Sequence, residues 1–161
     1  MKNTKWQAVA YWVIHAIWGF PTFIIGCFVA LYMLITNRKP KVFGYAVYFE
    51  SKLLKGCGFE AGPFFVVSQD CANNLSLKQH EHGHGIQTLW WGPLMLFVIS
   101  IPSAVRFHYR NIVYKWQTKR FWKGKITRTQ YAEWVRKIPP YESIWFEKQA
   151  TKLGEKYFTE R

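Results

Sequence analysis

The run from Trp6 to Thr36 contains no Asp, Glu, Lys or Arg. Those 31 residues would reach roughly 46 Å as one straight helix, against about 30 Å for the hydrocarbon core of a bilayer. The run is too long for the apolar core of a signal peptide, and no small-x-small cleavage site follows it. It is therefore expected to be retained in a membrane. Gly19-Phe20-Pro21 interrupts it and is expected to kink the helix. Each half is too short to cross alone, so one kinked, tilted span is favoured, with a re-entrant hairpin as the alternative. His15 lies inside the run; an interfacial or locally bonded role is favoured over a functional one. Arg38, Lys39 and Lys41 follow directly, and Lys2 and Lys5 compete weakly at the other end. By the positive-inside rule this gives an anchor over residues 1–37 and a cytoplasmic part over 38–161.

Half of the 161 residues are hydrophobic and the net charge is +13, so an anionic partner, lipid or nucleic acid, is expected. Cys27, Cys57 and Cys71 are odd in number and form no Cys-x-x-Cys pair, which argues against a disulfide-stapled extracellular domain. Cys71 is expected to be a small buried residue rather than a ligand.

Gly44 to Glu50 and Phe64 to Val67 are rich in strand formers and flank the loop Lys55–Gly58, which predicts a small β element. Phe64–Ser68 has two readings: an ordinary core strand, which is favoured, or an edge on which a substrate backbone pairs.

His80-Glu81-His82-Gly83-His84 follows the pattern His-Glu-x-x-His. On a helix, His80 and His84 project from one face a turn apart, and Glu81 lies about 100° round from His80. Two imidazoles and an adjacent carboxylate are what zinc-dependent hydrolysis needs. Ser76 with Gln79 reads as a capping box, predicting a helix from Leu77 to Trp91 that Gly92-Pro93 stops. Gly83 and Gly85 are costly inside a helix, so both are expected to admit a close neighbour, the helix that carries the third ligand. The segment between Pro93 and Val105 spans only about 20 Å as a helix, so it is expected to dip into the membrane or pack without crossing.

From Arg106 to Lys137 there are ten Lys or Arg and one acid, Glu133. Arg106, Arg110, Lys115, Lys119 and Arg120, with Trp116 and Trp122, are candidates to face anionic lipid. A plain solvated basic loop is the alternative, and nucleic acid ranks behind both. Thr127 and Gln130 form a capping box for a helix over Arg128–Ile138.

Tyr141 to Phe158 reads as a helix on which Glu147, Ala150, Thr151 and Gly154 share one small-residue face. Such a face can pack closely on the motif helix and aim Glu147 at the histidines, as a third ligand. A solvated Glu147 paired with Lys148 or Lys152 is the other reading. His108, Tyr141 and Tyr157 are candidates to stabilise an oxyanion.

The motif His80–His84, a following apolar segment and a later Glu147-Lys148-Gln149-Ala150 resemble the integral-membrane gluzincin peptidases, the group of the membrane heat-shock protease and the CAAX-prenyl protease. The resemblance covers about 20 residues. It implies a mainly α membrane protein: a kinked N-terminal membrane helix, a small β element, and a helical zincin-like core with a C-terminal ligand helix. It also implies zinc held by His80, His84 and Glu147, with Glu81 as base. The Asp of the group's Glu-x-x-Ala-Asp pattern is Thr151 here, which carries no charge to orient a ligand histidine. The run Trp91–Leu94 to Ile101–Ser103 with the Glu147 helix also resembles a class of small bacterial membrane proteins, which implies an inner-membrane location.

The expected function is a zinc endopeptidase cutting a peptide or membrane-protein segment at the membrane surface. The alternative is a catalytically inactive metal-binding membrane protein serving as a scaffold or complex subunit. A membrane di-iron oxygenase needs more than the five histidines present.

Overall fold

The computed structural model describes residues 5–157. The chain is mainly helical with a small mixed sheet. The apolar run forms two helices, α1 (Lys5–Ile17) and α2 (Phe20–Ile35), bent by 104°. The expected kink is thus a full corner. Gly19 lies at the corner, where a Cβ would come within 2.5 Å of Thr88 Cγ2, so a larger residue would push the corner off the motif helix. Among the described residues no single helix is long and apolar enough to cross a membrane.

The sheet has four strands, β1 (Lys41–Phe43), β2 (Ala46–Ser51), β3 (Gly58–Ala61) and β4 (Phe64–Ser68), in the order β1-β2-β4-β3. β2 and β4 run parallel, with Val47 opposite Phe64, and the two outer pairings are antiparallel. Gly44 and Tyr45, expected in a strand, form the β1–β2 turn, Gly44 at φ 60°. β4 is interior, so the core-strand reading of Phe64–Ser68 holds, and the edge strands are β1 and β3.

Both faces of the sheet are covered, which accounts for the nearly unbroken apolar sequence of β4. Phe49 and Val66 meet Ala30 and Met33 of α2 on one face. Tyr48, Phe65 and Val67 meet Tyr11 of α1, Ile86 and Leu153 on the other. α2 buries Thr22, Gly26, Ala30 and Met33, a stripe of one helical face, and a Cβ on Gly26 would strike the Ala61 carbonyl.

The motif helix α3 runs Leu75–Trp91. Its cap is Asn74, whose side chain accepts from Leu77 N–H at 3.0 Å, so the helix starts before the expected Ser76 cap. It ends at Gly92, φ 52°, as expected. A 3-10 turn and a π-helical turn (Leu96–Ser100) then redirect the chain by 114° into α4 (Ile101–Trp122). α5 (Arg128–Lys137) follows, with the Thr127–Gln130 capping box formed in both directions. The last helix, α6, covers Trp145–Tyr157, and a 3-10 turn occupies Tyr141–Ser143. The expected end at Phe158 lies outside the described residues, as does Lys2.

Candidate metal centre

α3 and α6 approach until their backbones touch. A Cβ on Gly83 would lie 1.9 Å from the Ala150 carbonyl oxygen, and one on Gly154 would lie 1.9 Å from that of Gln79. These two glycines remove the side chains that would hold the helices apart. Gly85 does a different job from the one expected: it faces the Tyr11 hydroxyl of α1, not α6.

The close packing brings Glu147, fully buried in the first turn of α6, to His80 and His84. Glu147 Oε2 lies 3.1 Å from His80 Nε2 and 3.3 Å from His84 Nε2, and the two nitrogens are 3.2 Å apart. Three ligands at about 2.0–2.1 Å on one tetrahedral ion stand about 3.3 Å from each other.

The hydrogen bonds behind the rings decide what the facing nitrogens are. Gln87 spends its amide N–H groups on the Phe146 carbonyl and on Gln149 Oε1, both at 2.8 Å. Its Oε1 must therefore accept from His84 Nδ1–H, at 2.7 Å. The Thr151 hydroxyl donates to the Glu147 carbonyl at 3.3 Å, so it accepts from His80 Nδ1–H at 2.9 Å. In the neutral rings both Nε2 atoms then carry lone pairs aimed at a carboxylate. In that state neither imidazole donates to Glu147, and the Ser103 and Tyr141 hydroxyls interact with its carboxylate. Without a metal a proton serves: burial opposes the charge of Glu147, but hydrogen bonds from His80 and His84 hold its carboxyl far below the usual range. Burial also opposes protonation of His84, but Glu147 and Glu81 outweigh it and raise its pKa.

Glu81 is buried beside this point, and its carboxyl is pushed up by burial, with His80 and His84 opposing and Glu147 adding to the rise. Gly58 on β3 makes room for it: a Cβ there would meet Glu81 Oε1 at 2.8 Å. His80, Glu81 and His84 open on a cleft of about 810 Å³ between β3 and α4. Tyr141 and His108 also line it. The Tyr141 hydroxyl shares a 2.8 Å hydrogen bond with Ser103, and burial above all pushes its pKa up to about 12, so it keeps its proton. Tyr157 lies elsewhere, against the core on the sheet's inner face.

Of the expected lipid-facing cations, two turn inward. Arg106 donates to the Pro140 carbonyl and Ser143 Oγ, and Arg110 to the Pro139 carbonyl, tying α4 to the loop before α6. Arg120 lies over the Trp116 ring at 4.7 Å. Lys115, Lys119, Trp116 and Trp122 are exposed. His82, inside the motif, is buried away from the cleft and accepts from Tyr45 N–H at 3.2 Å. His15 is buried as well, bonded through Nδ1 to the Tyr11 carbonyl at 2.8 Å. Cys71 lies outside the ligand group.

Three site residues carry no motif in the sequence. Gln87 had one available signal, its position three residues after His84 on the ligand face. Ser103 and Glu60 had none. Glu60 lines the cleft from β3, accepts from Thr88 Oγ1 at 3.3 Å, and has its pKa raised to about 8 by burial and by Glu81. No family model, no curated protein and no solved structure matches the chain.

Proposed function

We propose that this protein is a zinc-dependent endopeptidase working at a membrane surface. The observation that carries the proposal is the convergence of His80 Nε2, His84 Nε2 and Glu147 Oε2 within 3.1–3.3 Å, each imidazole fixed from behind. Those three residues would hold the ion; when bound, it acidifies a water and polarises a carbonyl. Glu81 stands ready to take the water's proton and hand it to the leaving amine. Tyr141 donates its hydroxyl to the developing oxyanion, steadied by Ser103. Thr151 orients His80 in the place of the carboxylate that the resembling group has there, through a neutral hydrogen bond.

The free edge of β3 lines the cleft at Gly58, Phe59 and Glu60. An extended peptide adds to such an edge as a further strand, which suits an endopeptidase. Lys5 opens α1, and Arg38, Lys39 and Lys41 follow α2. Their charge favours the cytoplasmic side of a bacterial inner membrane for the cleft.

The test is zinc content and peptide cleavage in three chains. The natural protein should bind one zinc and cleave. Glu81→Gln should keep the zinc and lose about 10²–10⁴-fold in rate. Glu147→Ala should lose the zinc. A natural protein free of zinc after metal-replete purification would overturn the proposal, and full zinc with no effect of Glu81→Gln on any function would favour a structural metal in a scaffold.

A further inference from the structure

The two helix corners meet. Trp18, at the α1–α2 corner, packs on Gly92, at the α3–α4 corner, so closely that a Cβ on Gly92 would sit 2.2 Å from the indole. Around this junction Ile17, Trp18 and Phe20 are exposed on one side and Trp90, Leu94 and Phe97 on the other, Phe97 at 65%. From there an apolar ridge continues along α4 through Ile101, Val105, Tyr109, Ile112 and Trp116. At about 100° per residue these five fall within an arc of about 80°. Val105 and Ile112 are 62% and 66% exposed. Among the described residues nothing covers the ridge, and it is long and continuous rather than scattered. At its far end stand the exposed Lys115, Lys119 and Lys123 with Trp122, and α4 contains no acid.

We infer that the paired corners form a wedge that enters one leaflet of an anionic bilayer without crossing it, and that α4 lies along the headgroup boundary with its ridge in the acyl layer. Charge selects lipid as the occupant: an apolar stripe ended by lysines and indoles is the pattern of an interfacial helix on anionic headgroups. Length agrees. α1 and α2, 13 and 16 residues, reach about 20 and 24 Å, short of a crossing but enough for one leaflet. The opposite face of α4 supplies Ser103, Phe107, Arg110 and Tyr114 to the cleft. One helix therefore separates lipid from the candidate metal centre, and a substrate would enter from the plane of the membrane. The inference rests on the membrane part of the proposed function and not on its zinc chemistry.

The natural chain is mixed with vesicles of phosphatidylglycerol and of phosphatidylcholine, and partitioning is measured beside the zinc content. Partitioning should be at least tenfold stronger on phosphatidylglycerol at low salt. Val105→Asp combined with Ile112→Asp should weaken it at least tenfold and leave zinc unchanged. Equal partitioning of the double variant, or no preference for the anionic lipid, would overturn the inference. A second measurement uses a chain with Cys27, Cys57 and Cys71 replaced by Ser. Nitroxides at Phe97→Cys and Val105→Cys should collide more with oxygen than with a water-soluble nickel chelate. Labels reached by nickel would overturn the inference, and so would labels shielded from both, which would mean a protein partner or a second copy on the ridge. In the same background, Lys5→Cys and Arg38→Cys should react with an impermeant maleimide from one side of the bilayer. Reaction from opposite sides would show that α1 and α2 cross.

Discussion

The helix pair α4–α5 lies between α3 and α6 in the chain, and the pairs α3–α6 and α4–α5 are opposites in construction. α3 and α6 meet through glycines and exchange buried polar groups, with Gln79, Glu81, Gln87 and Glu147 all inside. α4 and α5 have no buried residue. They are joined by rings, Tyr114 on Trp134 at 5.0 Å and Phe121 beside Tyr131 at 5.4 Å, and by one hydroxyl pair, Thr118 with Tyr131. The first pair brings three donor atoms to 3.1–3.3 Å of one another, the spacing a ligand set requires. The second holds a surface together while leaving its outer side free. Positioning chemistry and meeting a soft partner need different kinds of contact.

Filling the backbone contact should break the first pair most severely. Gly83→Leu places a side chain where the Ala150 carbonyl lies, and should cost about 3 kcal/mol with loss of zinc, read by thermal unfolding and metal analysis. A milder change sharpens the role of the outer hydrogen bonds. Thr151→Val keeps the shape but removes the acceptor for His80 Nδ1–H, and should weaken zinc binding about 10–100-fold in a chelator competition; Thr151→Asp should not weaken it.

Glu60 tests the sheet side of the cleft. Its raised pKa means that the folded chain binds more protons than the unfolded chain between about pH 4.3 and about 8, so its contribution to stability falls as pH rises through that window. Glu60→Gln should therefore leave stability nearly unchanged near pH 4 relative to the natural chain. Near pH 9 it should raise stability by about 1 kcal/mol, since Glu60 is only half-buried. Denaturant unfolding at the two pH values checks both signs. The smallest effect is expected in the α4–α5 pair. Trp134→Ala should loosen α5, cost under about 1 kcal/mol, and leave zinc content unchanged.

Local signals served the sequence reading best where neighbouring residues decide the structure. The end of α3 at Gly92 and the Thr127–Gln130 cap follow from backbone rules that act over four residues. The Glu147 face was legible because small residues at helical spacing mean close approach, and α6 does bring Glu147 to His80 and His84. What depends on a distant partner was not legible. Gly85 serves Tyr11, 74 positions earlier in the chain, and nothing near it says so. Arg106 and Arg110 look like surface cations until the Pro139–Pro140 loop supplies carbonyls for them. β3 is a short run with a Glu in it, and its pairing with β4 decides its edge position. The corner at Gly19 read as a kink because a proline sets a bend, while the angle is set by what the two arms pack against.

The separation between His84 and Glu147 also orders events in time. The two histidines leave the ribosome on α3, then all of α4 and α5 must follow before α6 can supply the carboxylate. Domains form as their parts emerge, and contacts between remote segments close last. Until α6 docks, the chain has the His-Glu-x-x-His helix without the Glu147 carboxylate, so the three-residue cluster exists only once the last helix is in place.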